Sequence, residues 1–512
     1  MSDWTSGYVT DIGYTYGYYT ELNPLVSRMA FLNAGLVFPD GGNACELAFG
    51  QGISVNINAA AGASRWKWYG TDFNPLQAGF GRELATVSGS GANLYDHSFA
   101  EFCNRDDLPE FDFIGMHGTW SWISDENRSI IVDFLRRKLK VGGVFYVSYN
   151  TQPGWATIIP LRDLFVRHAE VMGSKGQGSV SRVDGALAFA EKLMAANPLY
   201  SRFLPQVNER LKKMKEQNRN YLAHEYFNQD WEPMSVDRMA DWLTSAKMTY
   251  ACSAHFFDHV DALNLSSDQQ ALLQQIPDPI FREMVRDFCV NQQFRRDYWV
   301  KGARRLFPLE QAEKLLDQKV VMVKPRANIS LKINGALGEA EMQKAIYLPV
   351  LEALEDYQPK TLGQIEQAVR DKGVQYAQAV QAVMVLVGNG AVLPAQDPAE
   401  IKAAKKHTEK INRYLIDKAR FTGDISFLAS PVTGGAVAVG RFQQLFMLAI
   451  NNGKKNHDEW AAFAWNILAA QNQRVIKDGK VLEKPEENLE ELTEIARVFA
   501  QRQLPVVKQL IY

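Results

Sequence analysis

Over roughly the first 150 residues, short apolar runs alternate with stretches of helical period. Residues 42–48 read as a strand ending in a glycine-rich turn, and 55–63 as the helix after it. Further strands are predicted at 66–70, ending at Thr71-Asp72, at 92–95, followed by Asp96, and at 111–116, followed by His117-Gly118. Ser124 is placed to cap a helix over 125–140, with acid in its first turn and Arg136, Arg137 and Lys138 near its end. Gly142-Gly143 stops that helix, and 144–149 is a fifth strand of β-branched and aromatic residues. Strands alternating with helices predict an α/β fold, a doubly wound, mostly parallel Rossmann-like sheet. Ligands of such sheets sit at the carboxyl ends of the strands, so the residues just after each strand carry the chemistry.

The pattern then changes. Residues 157–220 read as helical and charged, and 221–257 as strand–helix–strand (YLAHEYF, SVDRMADWLTSAK, TYACSAHFF), placed to complete the sheet edge. Residues 260–325 read as mostly helical. From 326, an amphipathic stretch at 341–355 precedes the capping box Thr361-Leu-Gly-Gln364, whose helix runs to Asp371 with Gly373 just beyond. A helix at 376–387 and a short strand at 391–393 complete a winged-helix-like module. Asp397-Pro398-Ala399-Glu400 starts a mostly helical remainder. The expected segments are 1–160, 161–325, 326–396 and 397–512, within a length of 512 residues that suggests about three domains.

Composition narrows the function. With 56 basic against 58 acidic residues and a net charge of −2, broad nucleic-acid binding is not expected. Cys45, Cys103, Cys252 and Cys289 are too scattered for a disulfide framework or a thiolate metal site. The opening MSDWTSGYVTDIGY has no basic start and no apolar run, and no stretch approaches a membrane span, so the expected compartment is the cytoplasm. Neither G-x-x-x-x-G-K-[ST] nor G-x-S-x-G occurs.

The strongest local motif is Glu46-Leu-Ala48-Phe-Gly50-Gln-Gly52, directly after the first strand. Small residues let the backbone turn tightly against a ligand, and an acid opening the turn suits a ligand amino group. A dinucleotide loop counted from Gly50 would need a small residue where Val55 stands, so the loop fits the E-x-G-x-G-x-G style of methyltransferases, with Ala48 in the first glycine position. Alone, the loop is equally a bare strand-to-helix turn. Asp72, 20 residues beyond Gly52, is placed to accept from ribose hydroxyls, and Phe73 to lie against an adenine. Asp96, with His97 beside it, ends the third strand and is placed to accept from the adenine amino group.

After the fourth strand, HGTWSW puts His117 where a base or hydrogen-bonding clamp would stand and Trp120 and Trp122 as a pocket wall; a core histidine and core tryptophans are the alternative. Tyr149 and Asn150 leave the fifth strand toward the same cavity. Tyr14, Tyr16, Tyr18 and Tyr19, ahead of Glu21 and Pro24, would close over the site or cage a cationic acceptor, or would be ordinary packing of an N-terminal arm. Cys252-x-x-His255-x-x-x-His259 has metal-like spacing but lacks a further ligand, so no metal is expected. The run from Lys402 to Lys410 reads as the solvated face of a helix.

These segments together (YGYYTELNP, CELAFGQG, YGTDFNP, ANLYDHSFAEF, FDFIGMHGTWSWI, GGVFYVSYNTQPGW and YLAHEYFN) resemble the bacterial class I S-adenosylmethionine-dependent methyltransferases with an appended methyltransferase regulatory domain, among them the rickettsial-type protein lysine methyltransferases. The resemblance spans roughly residues 14–300 and implies a regulatory segment over about 221–302. It implies that Glu46, Ala48, Gly50, Gly52, Asp72, Phe73, Asp96 and His97 hold S-adenosylmethionine, and that Tyr16, Tyr19, His117, Trp122 and Tyr149 surround the acceptor. Ala48 departs from the family's glycine. The expected reaction is direct in-line methyl transfer without a metal, to a protein side chain with lysine favoured. A small-molecule or glycan methyltransferase and a non-catalytic binding protein are the rival readings. The expected partner is a protein substrate; a small molecule and a homodimer stay open.

Overall fold

The computed structural model describes residues 7–173 and 178–512. Residues 1–6, which open the stretch read as lacking a leader, and 174–177, within the stretch read as helical, lie outside the described residues. The predicted strands appear as β1 (Gly42–Leu47), β2 (Trp66–Thr71), β3 (Asn93–Tyr95), β4 (Phe111–Met116) and β5 (Leu139–Asn150). They lie in the order β3-β2-β1-β4-β5 and pair in parallel. Between them run α1 (Pro24–Asn33, ahead of β1), α2 (Ile53–Ala61), α3 (Pro75–Ser88), α4 (Phe99–Cys103) and α5 (Asp125–Lys138). Ser124 caps α5 by accepting from the Asn127 N–H, while Asp125 and Glu126 at its start and Arg136, Arg137 and Lys138 at its end complement the helix dipole. The Gly142-Gly143 pair does not separate helix from strand. It lies inside β5, where the register against β4 shifts between Phe111 and Phe113 and Gly142 takes φ +81°.

After β5, the described residues form in succession the helices α6 (Ile159–Val171), α7 (Ser179–Ala195), α8 (Leu199–Phe203), α9 (Gln206–Glu216) and α10 (Arg219–Tyr226). They enclose a core of their own, built around Phe165, Leu187, Leu211 and Tyr226. YLAHEYF, read as a strand, is α10 instead. Asn218 accepts from the N–H groups of Asn220 and Tyr221, and Leu222, Ala223 and Tyr226 bury one helical face. The next helix, α11 (Val236–Thr244), and β6 (Met248–Ser253) follow the pattern. The stretch read as mostly helical holds two strands, Lys319–Met322 and β7 (Phe294–Lys301), the latter running antiparallel between β5 and β6 and completing a seven-stranded sheet.

Further along, a three-stranded sheet joins Lys319–Met322 to Lys360–Thr361 and Val392–Pro394 beside helices Lys344–Ala353, Leu362–Arg370 and Tyr376–Gly388. The Thr361–Gln364 capping box is formed. The remainder holds six helical segments and two short hairpins. It is not packed apart from the sheet: Ile53 and Ile57 of α2 and Leu84 of α3 share one core with Ile411, Leu415 and Phe446. Gln396 donates to the Ala61 carbonyl at the end of α2 at 2.8 Å, and Asn23 donates to the Thr433 carbonyl. No described helix is long and apolar enough to cross a membrane.

Candidate active site

The turn from β1 to α2 is left-handed at three alternate positions, Ala48 (φ +57°), Gly50 (φ +57°) and Gly52 (φ +72°). Gly52 caps α2, and a Cβ there would meet the Gly81 Cα of α3 at 3.0 Å, so only glycine lets the two helices approach. Ala48 has no such freedom. A left-handed non-glycine residue costs about 1–2 kcal/mol, against about 0.5–1 kcal/mol of extra chain entropy for glycine. Ala48→Gly is therefore expected to stabilise the protein by about 0.5–1 kcal/mol in urea unfolding; a destabilised variant would mean that the methyl group packs usefully.

Two acids sit under this turn. Asp72 is buried and braces it: Oδ2 accepts from the Gly50 N–H at 2.8 Å and Oδ1 from the Asn74 N–H at 3.0 Å. Burial pushes its pKa up to about 7 despite those bonds. Glu46, at the end of β1, is buried as well, and its Oε2 has no hydrogen-bond partner among the described residues. Burial, and then the neighbouring Asp72, raise its pKa well above the carboxylate range. Both acids open into a cleft of about 1140 Å³ that Ala48, Gly50, Phe73 and His97 also line. The His97 Nδ1 is buried there without a hydrogen-bond partner among the described residues.

The cleft continues past the end of β4. His117 stacks on Tyr19 with ring centroids 3.7 Å apart, and its Nδ1 lies 2.8 Å from the Tyr146 hydroxyl. Enclosure lowers its pKa to about 4, outweighing the nearby Glu21, so the imidazole is neutral at neutral pH. Trp122 forms a wall and donates from Nε1 to the Glu225 carbonyl at 3.1 Å. Tyr8, Tyr14, Tyr19, His117 and Trp122 are shared with a second cavity of about 1010 Å³, which reaches α9 and α10 and includes Asn150, Trp155, Arg210 and Glu225. Desolvation raises the pKa of Tyr8 and Tyr14, so these phenols stay neutral. The arm bearing them is tied to the helical insertion, since Asp11 accepts from the backbone N–H and the hydroxyl of Ser179.

Four expected site residues are not brought here; Gly52 lies off the cleft, where its lack of a side chain lets α2 approach Gly81 of α3. Asp96 is exposed and paired with Arg82, so it points away from the cleft that its neighbour His97 lines. Tyr16 packs edge-on against Phe80 at 5.5 Å, outside both cavities. Tyr149 is buried on the opposite face of the sheet and donates to Asp297 Oδ2 at 2.7 Å. Replacing Tyr149 with Phe should lower stability by about 1–3 kcal/mol, as for a lost buried bond to a charged group, and leave ligand affinity at the cleft unchanged. Weaker ligand binding at full stability would put the ring back in the cleft.

Trp120 is core, edge-on to Trp242 at 6.2 Å. Tyr18 is core too, donating to Asn58 Oδ1. His259 faces the Ser253 carbonyl and Asn33, His255 faces Asp258, and the described residues contain no group of three or more acids, histidines or cysteines placed to hold a metal. Lys402, Lys405, Lys406 and Lys410 are the exposed face of their helix. The residues not foreseen are Tyr8, Trp155, Arg210 and Glu225. The helical reading of α10 would have supplied the last, because it sets Tyr221 and Glu225 one turn apart on one face.

A family model described as a predicted methyltransferase regulatory domain matches residues 218–301, the stretch from α10 through β7. PKMT2 from Rickettsia typhi, solved in complex with AdoHcy, superposes with a TM-score of 0.70 at 18% identity, covering 98% of this chain and 100% of that one. The chain has the fold of a class I methyltransferase with an appended regulatory domain. Uncharacterized protein sll1526 of Synechocystis sp. is 41% identical over 511 residues, 99% of each chain, and the chain belongs to the same family as that protein. Uncharacterized protein RP028 of Rickettsia prowazekii is 27% identical over 186 residues, 36% of this chain and 72% of that protein.

Proposed function

We propose that this protein is an S-adenosylmethionine-dependent methyltransferase acting on an amine, with a protein lysine as the favoured acceptor. The observation that carries the reading is the buried Glu46 Oε2, without a hydrogen-bond partner among the described residues, beside the Asp72-braced glycine turn, in a cleft that opens on an aromatic cavity. Those residues fit the cofactor. Glu46 offers a buried acceptor for its amino group, Asp72 a carboxylate for ribose hydroxyls, Gly50 a backbone without a side chain in the way, and Phe73 with His97 an edge for the base. R. typhi PKMT2 was solved with AdoHcy, the demethylated form of the same molecule, which is consistent with this fit.

The sulfonium supplies a methyl group that is already activated. The chain's own residues then have to position and dry an amine. Tyr19 and His117, stacked and uncharged, form the wall between the cofactor side and the acceptor side. Uncharged aromatic surroundings lower the pKa of an entering ammonium and favour the free amine. The same reading assigns 1–160 to the catalytic core, 161–325 to the insertion and regulatory segment, 326–396 to a winged-helix-like module and 397–512 to a helical part that grips a large substrate. It places the work in the cytoplasm.

Calorimetry with S-adenosylmethionine and NAD, followed by incubation with labelled cofactor and cell lysate, tests this. S-adenosylmethionine binding and label in protein are expected. NAD binding alone would overturn the class, and label only in small metabolites would overturn the protein acceptor.

A further inference from the structure

The second cavity contains a carboxylate with no use in holding the cofactor. Glu225 projects from α10, and its Oε1 accepts one long hydrogen bond, from Asn150 Nδ2 at 3.5 Å. Its backbone is held by the Trp122 indole. Arg210 of α9, the cation on the same wall, is engaged elsewhere. Its guanidinium donates to Tyr226 and Gln293 and lies over the Trp155 ring at 5.1 Å; it is near enough to lower the Glu225 pKa, yet no salt bridge joins the two among the described residues. A carboxylate whose desolvation outweighs its distant cation, and which no cation contacts directly, is costly to ionise, which makes a cationic ligand the natural complement. The walls favour the same ligand, because Tyr8, Tyr14, Trp122 and Trp155 line the cavity and aromatic faces attract cations. Tyr8 connects the two sides: its phenol is close enough to feel both Asp72 and Glu225.

We propose that Glu225 is the specificity residue of the acceptor cavity, binding a primary alkylammonium group of the lysine side-chain type and taking one of its protons before transfer. This rests on the methyltransferase reading above. In balance, the ammonium N–H bond breaks and the proton goes to a Glu225 oxygen. The freed nitrogen lone pair then bonds to the methyl carbon as the carbon–sulfur bond breaks, with that electron pair left on sulfur. Glu225 returns its proton to solvent. Burial raises its pKa to about 7, high for a carboxylate and closer to that of a desolvated ammonium.

The test titrates protein loaded with S-adenosylhomocysteine with n-butylamine and with its neutral analogue n-butanol, at pH 8. The wild type should prefer the amine at least tenfold. Glu225→Gln should lose that preference while keeping its affinity for S-adenosylhomocysteine. A preference that survives in Glu225→Gln, or that the wild type never shows, overturns the proposal. If S-adenosylhomocysteine does not bind the wild type, the methyltransferase reading itself fails, and this is seen before any amine is added. Should Glu225→Gln not fold, the wild type alone decides, because its preference should fade as pH falls through about 7. The other facing groups do not mimic this. His117 and His224 are held neutral by burial, Tyr8, Tyr14 and Tyr221 are held protonated, the Arg210 guanidinium faces Tyr226, Gln293 and Trp155, and Asp72 lies under the bound nucleoside. A pH-independent preference overturns the proposal.

Discussion

Replacing Asp72 with alanine should weaken S-adenosylmethionine binding at least a hundredfold and should invert the ranking of the two proteins in stability between pH 5 and pH 8. The binding loss follows from two ribose hydroxyls donating to one carboxylate, each bond to a charged group being worth about 1.5–3 kcal/mol. The stability effect has two opposed parts. At pH 5 the wild-type carboxyl is neutral and accepts from the Gly50 and Asn74 N–H groups, so deleting it costs about 1–3 kcal/mol. At pH 8 it is a buried anion. The gap between an ordinary aspartate near 3.8 and about 7 corresponds to about 4 kcal/mol of burden, which the variant sheds. Calorimetry and urea unfolding at the two pH values check both halves. Unchanged affinity would refute the ribose assignment, and a variant less stable at both pH values would refute the burial argument.

The second large effect concerns the wild type without cofactor, whose stability should fall as pH rises from about 5 to 7. The folded pKa values of Asp72 and Glu225 lie near 7, above those of the unfolded chain. Between roughly pH 4 and pH 7 the folded state therefore binds more protons than the unfolded state, and the free energy of unfolding declines with pH. Asp287, raised mainly by burial, acts in the same direction. His117, lowered to about 4, and His224 and His259, also lowered by burial, act oppositely below about 6.5, because the folded state then binds fewer protons. Glu46 and Asp297, likewise raised by burial, bring the carboxylates to five against three imidazoles, so a net fall is expected in urea midpoints, and it should be smaller with saturating S-adenosylmethionine, whose hydroxyls favour ionised Asp72. A flat or rising profile would mean that these acids are solvated in the protein.

Strand ends were legible because each acid or histidine follows an apolar run in a βαβ frame that places ligands there. Which way a side chain faces was not. In β5 both faces are buried, so no polar alternation marks parity. Tyr146 and Ser148 reach His117 and the Gly118 N–H, whereas Phe145, Val147 and Tyr149 belong to the opposite core. Asn150 shares the parity of Tyr146 and does reach the cavity, so one register step separates a cavity-lining residue from a core one. Asp96 lies off the cleft for a different reason, since a guanidinium on the neighbouring helix α3 pairs with it. The strand β7 was hidden by its charges. Arg295 and Asp297 look like a solvated helix face until Asp287, Glu283 and Tyr149 supply their buried partners. In α10, a seven-residue run was too short to separate the two periods, and the Asn218 cap was the missed sign.

The core that α2 and α3 share with Ile411, Leu415 and Phe446 has a bearing on biosynthesis. The turn from β1 to α2 is made early on the ribosome, yet the surface that seals the back of α2 emerges several hundred residues later. At about 5–20 residues per second this delay is on the order of tens of seconds. During it Ile53, Ile57 and Leu84 face solvent, and the nascent chain needs either shielding by a chaperone or early capture of its nucleoside to avoid sticking to its neighbours.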